Sequence, residues 1–285
     1  MQVEDFARSL RARLEGMYGT GEATAMVRLI FNVMKGWSAT DMIVNADREI
    51  SDMFRNQVGK VMERIERGEP IQYVLGTARF YGMDLKVDSR VLIPRPETEE
   101  LIDMIVARFK NREDLKVLDI GTGSGAIAIV LSRNLPFSDV TGIDLSEGAL
   151  QVARENAADL HARISLIHAD IFKWMPEPDS LDIVVSNPPY IPEEEKRDME
   201  TNVLDYEPAS ALFVPDSDPL VYYRRIAEVA SVGLRVDGRI YFEINPRFAE
   251  QIKKMLEERG YLDVEVTQDI SRRDRFVSAR KGGAE

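Results

Sequence analysis

Apolar residues in the first quarter of the chain recur every three to four positions, which is the period of an amphipathic helix. The positions that carry this spacing are Phe6, Leu10 and Leu14 early on, and Val58, Val61, Met62 and Ile65 later. Ser51 or a neighbouring residue is a candidate N-cap for the last of these helices. Residues 1–70 are therefore predicted to form a small helical bundle. Such a bundle either recognises a substrate or only stabilises the fold.

The pattern changes to short alternating segments between residues 71 and 95. Gly76 and Gly82 interrupt this stretch, as is typical of strands joined by turns. We expect a strand-rich connector here. A helix is predicted from Pro96, because proline is tolerated in a first turn and the three glutamates that follow favour the positive end of the helix dipole.

The rest of the chain, residues 96–285, alternates predicted strands with predicted helices. The predicted strands are KVLDIG, DVTGIDL, ISLIHADIF, LDIVVSNPP, GRIYFEI, DVEVTQDI and DRFVSAR. An acidic stretch around residues 192–217 is predicted to be irregular. Repeated strand–helix–strand units imply a parallel sheet with helices on both faces, so the predicted fold class is α/β.

The amino-acid composition limits the classes of protein to which this chain can belong. Of the 285 residues, 44% are hydrophobic and 30% are charged, as in a soluble globular protein. The chain has no cysteine and two histidines, His161 and His168, which excludes disulfides and does not favour a metal site. No run approaches the roughly 18 apolar residues of a membrane span, and the N-terminus lacks a signal-peptide pattern. We expect a cytoplasmic protein with no membrane partner and no metal.

The net charge is −12, and residues 1–80 hold 11 acidic and 11 basic side chains, so the acidic excess lies after them. Binding to nucleic acid depends on lysine and arginine contacts to phosphates. The charge balance therefore argues against a general affinity for nucleic acid.

A glycine-rich run lies where a predicted buried strand turns into a helix: Gly121-Thr122-Gly123-Ser124-Gly125. Alone it is also compatible with a plain turn. Asp144 ends the next strand, where a carboxylate can accept hydrogen bonds from two ribose hydroxyls. The spacing is neither that of a dinucleotide-binding loop nor that of a triphosphate-binding loop. S-adenosylmethionine fits better, with its ribose on Asp144 and its amino-acid end near the glycines. Asp170 after the following strand either reaches the adenine edge or is a solvated turn residue.

A stiff turn, Asn187-Pro188-Pro189-Tyr190, follows the fourth strand of this series. Each proline fixes its own φ and restricts the residue before it. The Asn187 side-chain oxygen and the Pro188 carbonyl could accept both N–H bonds of a planar amide or aromatic amine. Tyr190 could pack over that flat group. The predicted chemistry is methyl transfer to such a nitrogen, by positioning and electrostatics.

The chain closely resembles the HemK/PrmC family of protein-(glutamine-N5) methyltransferases that modify peptide chain release factors. The segments that carry the resemblance are GEPIQYVLGTARFYG (68–82), VLIPRPETEEL (91–101), LDIGTGSGAIAI (118–129), GIDLS (142–146), VSNPPYIP (185–192), YEPASALF (206–213) and SRRDRFVSAR. They span residue 68 to near the end. The N-terminal bundle is similar in helical character more than in residues.

The resemblance implies a class I, Rossmann-like S-adenosylmethionine-dependent methyltransferase domain at 96–285, behind the helical domain and joined to it by a β-hairpin connector at 71–95. The implied substrate is the glutamine of the Gly-Gly-Gln motif in class 1 release factors, and the implied product of the cofactor is S-adenosylhomocysteine. The implied cofactor contacts are Gly121, Thr122, Gly123, Ser124, Gly125, Asp144, Asp170, Ile171 and Asn187. The implied glutamine contacts are Asn187, Pro188, Pro189 and Tyr190, of which Asn187, Pro188 and Tyr190 would be catalytic. Some family members carry an aromatic at the position of Ile171. Glu243, in a stretch that the family also has, is assigned no chemistry.

Two other functions are compatible with these motifs. An enzyme that methylates an amino group of a nucleic-acid base would use the same NPPY turn, with Tyr190 stacked on an extruded base. A non-catalytic adenosine-binding domain would need the glycine loop and Asp144 but not Asn187.

Overall fold

A seven-stranded sheet is the main element of residues 1–283, the part of the chain that this computed structural model describes. The strands are β1 (Thr77–Phe80), β2 (Met83–Lys86), β3 (Lys116–Ile120), β4 (Asp139–Asp144), β5 (Ile164–His168), β6 (Leu181–Ser186), β7 (Ile191–Pro192), β8 (Phe213–Val214), β9 (Leu234–Glu243), β10 (Tyr261–Gln268) and β11 (Asp274–Lys281). The helices are α1 (Val3–Lys35), α2 (Ala39–Val44), α3 (Asp52–Ile65), α4 (Ile71–Leu75), α5 (Pro96–Phe109), α6 (Ala126–Asn134), α7 (Glu147–Asp159), α8 (Thr201–Tyr206), α9 (Val221–Gly233) and α10 (Ala249–Glu258).

The strand order of the large sheet is β10-β11-β9-β6-β3-β4-β5. The strands from β9 to β5 run parallel to one another, while β11 pairs antiparallel with both β9 and β10. The antiparallel pair at one edge follows from its short connection, because only antiparallel neighbours can be joined by a tight turn. The predicted α/β sheet is confirmed.

Alternate residues of the central strands pack into two separate apolar clusters. On β9, Tyr241 belongs to the cluster that contains α5 and α6, whereas Phe242 belongs to the cluster that contains α9 and α10. Both side chains are at most 2% exposed. Since successive side chains of a strand point to opposite faces, helices cover both faces of the sheet, as predicted.

The chain divides into two compact units. The helical unit comprises Met1–Gly76 and Thr201–Tyr206, and the sheet unit comprises the remaining described residues. In the helical unit, the predicted apolar residues Leu14, Val58 and Ile65 are fully buried in one core. The Ser51 side chain caps α3 by accepting the Phe54 N–H, as the sequence predicted. The recognition role predicted for residues 1–70 stays a prediction.

Two segments differ from the sequence-based expectation. Ile71–Leu75 forms a helical turn rather than a strand, because its apolar residues follow helical spacing and Gly76, at φ +73°, ends the turn in the left-handed conformation. The hairpin itself is limited to β1 and β2. The acidic stretch contains a 3₁₀ helix at Glu193–Asp198 and then α8, so it is more regular than predicted. None of the helices in residues 1–283 has both the length and the apolar character to cross a membrane.

Candidate active site

Three loops that carry predicted site residues meet at the carboxyl end of the sheet. β3 lies between β4 and β6, so the chain leaves β3 towards one side and later returns to its other side. Open α/β sheets bind ligands at such a reversal of strand order. The glycine loop follows β3, Asp144 ends β4, and Asn187 follows β6.

The glycine loop needs glycine for its backbone conformation. Gly121, Gly123 and Gly125 have φ angles of +74°, +56° and +80°, in the left-handed region that other residues rarely adopt. A Cβ on Gly125 would lie only 3.2 Å from both the Ala153 Cβ and the Ile129 Cδ1. The loop therefore turns tightly into α6 and lets a ligand approach its backbone.

Thr122 and Ser124 fix the shape of this loop from below. The Thr122 N–H donates to the Ile143 carbonyl at 3.0 Å, and its hydroxyl donates to Asp119 Oδ2 at 2.6 Å. The Ser124 carbonyl accepts a hydrogen bond from Asn156 Nδ2 at 2.9 Å. Both residues are buried beneath the loop, and neither lines the cavity described below. Their predicted contact with the cofactor stays a prediction.

Asp119→Asn is expected to flatten the pH dependence of stability. Asp119 is fully buried, and burial raises its pKa to about 7, whereas an unfolded aspartate titrates near about 3.9. Between about pH 4 and 7 the folded chain therefore binds more protons than the unfolded chain. The free energy of unfolding should fall as pH rises through this window, by up to roughly 4 kcal/mol from this group.

Urea unfolding of the natural chain and of Asp119→Asn at pH 5 and pH 8 measures this effect. The substituted chain should lose much of the difference between the two pH values. An equal difference in both chains would show that Asp119 does not titrate in this window.

Asp144 lies at the point where β4 ends and its carboxylate faces the cavity. Its Oδ2 accepts the Gly123 N–H at 2.9 Å, and its Oδ1 accepts the Ser146 N–H at 2.8 Å. Burial raises the pKa of Asp144, and these backbone donors oppose that rise by favouring the charged form. The carboxylate thus links the glycine loop to the start of α7 and retains acceptor capacity toward a ligand.

A cavity of about 220 Å³ opens between these loops. A single water needs only about 10–15 Å³, so this volume has room for a ligand of many atoms, such as a nucleoside. The predicted site residues that line it are Gly121, Gly123, Asp144, Asp170, Ile171, Asn187, Pro188 and Pro189. The structure thus brings together most of the residues that the sequence singled out.

Aromatic residues missed by the sequence analysis close one side of the cavity. Phe172 and Tyr222 both line it, with ring centroids 5.4 Å apart and planes tilted by 58°. Ile171 lines the cavity beside them and is 9% exposed. Asp170 accepts the Phe172 N–H at 3.0 Å. The aromatic side chains on this side of the cavity are therefore Phe172, one residue after Ile171, and Tyr222 on α9.

Three residues of the NPPY turn line the cavity, and the fourth packs into the protein interior. Asn187, Pro188 and Pro189 line the cavity, whereas Tyr190 does not. The Tyr190 hydroxyl donates to Glu243 Oε1 at 3.4 Å, and its ring packs against the apolar cluster of α9 and α10. The predicted stacking of Tyr190 on a flat substrate stays a prediction, and in this structure the side chain supports the turn from behind.

Thr98 and Glu243 are two further residues next to Asn187. Asn187 Nδ2 donates to Thr98 Oγ1 at 3.3 Å, and the Thr98 hydroxyl donates to Glu243 Oε2 at 2.6 Å. Neither residue has a role that the sequence predicted. The available signals were the place of Thr98 in the PRPETE segment and the place of Glu243 in IYFEI, where a charged residue interrupts an apolar run.

The donor set suits an adenosine ligand that carries an amino acid. Asp144 offers a carboxylate for hydroxyl groups, the N-terminal end of α6 lies behind the glycines, and the Phe172 side of the cavity is apolar. Residues 1–283 contain no cluster of three or more histidine, aspartate and glutamate side chains that is arranged to hold a metal ion.

Comparison with known proteins identifies clear relatives. Residues 6–76 match the family described as PrmC N-terminal domain, and residues 117–205 match the family described as methyltransferase domain. A release factor glutamine methyltransferase of Bacteroides thetaiotaomicron is 44% identical over 273 residues, which cover 95% of this chain and 98% of that protein. Another, of Flavobacterium psychrophilum, is 35% identical over 280 residues, covering 97% and 98%. A solved methyltransferase of Pyrococcus furiosus is 18% identical and covers 79% of this chain and 100% of its own, with a TM-score of 0.53, which shows the fold alone.

Proposed function

The chain belongs to the release factor glutamine methyltransferase family, and from that premise we propose that it methylates the N5 nitrogen of the glutamine in the Gly-Gly-Gln motif of class 1 release factors. The protein is an S-adenosylmethionine-dependent methyltransferase of release factors, with the class I fold expected from its sequence. The observation that supports the finer proposal is the cavity shared by Asn187, Pro188 and the predicted cofactor residues.

We assign cofactor binding to the glycine loop and Asp144. When bound, S-adenosylmethionine supplies an electrophilic methyl group on a sulfonium. Asp144 would accept hydrogen bonds from the ribose hydroxyls, and the backbone of Gly121 and Gly123 would border the amino-acid portion. Phe172 and Ile171 would exclude water from the adenine faces.

We assign substrate positioning to Asn187 and Pro188. The nitrogen of an amide is a poor nucleophile because its lone pair is delocalised. The Asn187 Oδ1 and the Pro188 carbonyl would accept its two N–H bonds and turn the nitrogen toward the methyl group. No residue needs to remove a proton beforehand, because a methylated amide nitrogen with a positive charge loses its proton readily. Catalysis would then consist of orientation and electrostatics.

Transfer of radiolabelled methyl from the cofactor to purified release factor tests this function. We expect label in the release factor and none in total RNA or DNA treated in the same way. Label confined to nucleic acid would instead support the amino-group methyltransferase of a base, which neither the named relatives nor the charge of −12 favours. Family membership also disfavours a non-catalytic adenosine-binding domain.

We also propose that the helical unit takes part in recognising the release factor in the cytoplasm. This unit contains a cavity of about 450 Å³ lined in part by Arg8, Arg11 and Arg28, next to the exposed Ile43. Arg8 already pairs with Glu4, which also lines this cavity. Arg11 and Arg28 beside apolar surface suit an acidic protein segment. Arg28→Glu should raise the KM for release factor about tenfold and leave the KM for the cofactor unchanged. An unchanged KM for release factor would place its docking surface elsewhere.

A further inference from the structure

A buried chain of polar side chains ends at the Asn187 amide. Glu243 is 1% exposed and Thr98 is 5% exposed, and the Thr98 hydroxyl joins the Glu243 carboxylate to Asn187 Nδ2. Burying polar groups costs free energy unless each one has a partner. A carboxylate and a hydroxyl at the end of an apolar sheet therefore require an explanation beyond packing.

Two neighbouring strands and one helix place these residues together. Ser186 on β6 pairs with Phe242 on β9 in parallel register, so Asn187 and Glu243 both follow directly from that pair. Thr98 lies in the first turn of α5, where its N–H donates to the Arg95 carbonyl at 3.1 Å. The contact between Thr98 and Glu243 joins residues 145 positions apart.

The direction of the hydrogen bonds follows from the chemistry of the carboxylate. An ionised carboxylate can only accept, so Thr98 must give its single hydroxyl proton to Glu243. The Thr98 oxygen then has only lone pairs left, and these accept from the NH₂ group of Asn187. The amide of Asn187 is thereby held with its nitrogen turned inward, and its Oδ1 stays available to the cavity that Asn187 lines.

Hydrogen-bond donors and one cation surround the Glu243 carboxyl. Burial raises the pKa of Glu243 and the charge of Glu97 adds to that rise, while the Thr98 hydroxyl, the charge of Arg275 and the Tyr190 hydroxyl oppose it by favouring the carboxylate. Tyr190 donates its hydroxyl to the other carboxylate oxygen. Arg275 itself is only 13% exposed and pairs with Asp269 at 3.2 Å. Both oxygens of Glu243 thus face donors.

We propose that Thr98 and Glu243 are positioning residues that fix the Asn187 amide with its oxygen toward the substrate nitrogen. Neither residue touches the substrate; each acts through Asn187. This assignment rests on the proposed function for the identity of the substrate, but the orientation of the Asn187 amide is a property of the protein alone.

Thr98→Val tests the proposal, because valine keeps the shape of threonine and removes the hydroxyl. Residues that orient a functional group through one contact typically change activity by about 10- to 100-fold, and we expect a loss of that size in kcat for release factor. The affinity for S-adenosylhomocysteine, measured by calorimetry, should change less than about twofold. Thr98→Ser, which restores the hydroxyl, should recover most of the loss. In an Asn187→Ala background, Thr98→Val should cost nothing more, because its effect passes through Asn187.

A second readout needs no substrate. The side-chain NH₂ signal of Asn187, identified as the one that Asn187→Asp removes, should exchange with solvent about tenfold faster in Thr98→Val than in the natural chain or in Thr98→Ser. Faster exchange together with a normal kcat would confirm the contact and overturn the positioning role. Unchanged exchange, or an equal loss of kcat in the Asn187→Ala background, would also overturn the proposal. Failure of the natural enzyme to methylate release factor would refute the proposed substrate and leave the exchange result to decide the orientation.

Discussion

Asn187→Ala is expected to lower kcat for release factor methylation by about 10²- to 10³-fold, the usual cost of removing one preorganised polar contact to a reacting group. Asn187 lines the cavity, and its side-chain nitrogen donates a hydrogen bond to the Thr98 hydroxyl oxygen. Its oxygen is therefore the part that can hold the substrate N–H. Without it, the glutamine amide is free to rotate, and its nitrogen is less often in line with the methyl group.

Because Asn187 is also predicted near the cofactor, binding must be measured separately. Calorimetry with S-adenosylhomocysteine should show a much smaller effect than the loss in kcat. Asn134→Ala is a suitable control, since Asn134 ends α6 and its side chain donates only to the Val130 carbonyl among its described hydrogen bonds. A fall in cofactor affinity that accounts for all of the lost rate would contradict a role in substrate positioning.

Asp144→Ala should weaken cofactor binding by about 1–3 kcal/mol, because hydroxyl groups lose a charged hydrogen-bond partner. This corresponds to roughly a 5- to 150-fold rise in the dissociation constant. Part of the effect would come from the loop, since the Gly123 N–H also loses its acceptor. Calorimetric titration with S-adenosylhomocysteine measures the change directly.

Asp139 provides a matched control at the other end of the same strand. It is exposed and does not line the cavity, so Asp139→Ala should leave cofactor affinity unchanged. If Asp144→Ala bound the cofactor as tightly as the natural chain, the ribose would have to lie elsewhere. The assignment of cofactor binding to the glycine loop would then also be wrong.

The sequence predicted those helices, strands and loops that a pattern of neighbouring residues is sufficient to indicate. Runs such as KVLDIG and GRIYFEI are apolar and bounded by turn residues, and they form β3 and β9 as expected. The glycine loop and Asp144 could also be placed, because both follow directly from the ends of strands that lie side by side. The helical turn at Ile71–Leu75 was not predicted, because five residues offer too few positions to separate helical from alternating periodicity.

Contacts between distant segments could not be derived in this way. The link between Thr98 and Glu243 depends on how α5 packs over the end of β9, and no local pattern contains that information. The same holds for Phe172 and Tyr222, which come from different segments and meet at the cavity. The hydrogen bond from the Tyr190 hydroxyl to Glu243 likewise joins distant segments, while the predicted packing of Tyr190 over the substrate stays a prediction.

Tandem mass spectrometry of a release factor incubated with this protein and isotopically labelled S-adenosylmethionine tests the central claim most directly. The fragment ions should place one labelled methyl group on the side-chain amide of the Gly-Gly-Gln glutamine. The Asn187→Ala protein, handled identically, should leave that peptide almost unmodified. A labelled methyl on any other residue, or an unmodified release factor after incubation with the natural protein, would contradict the account.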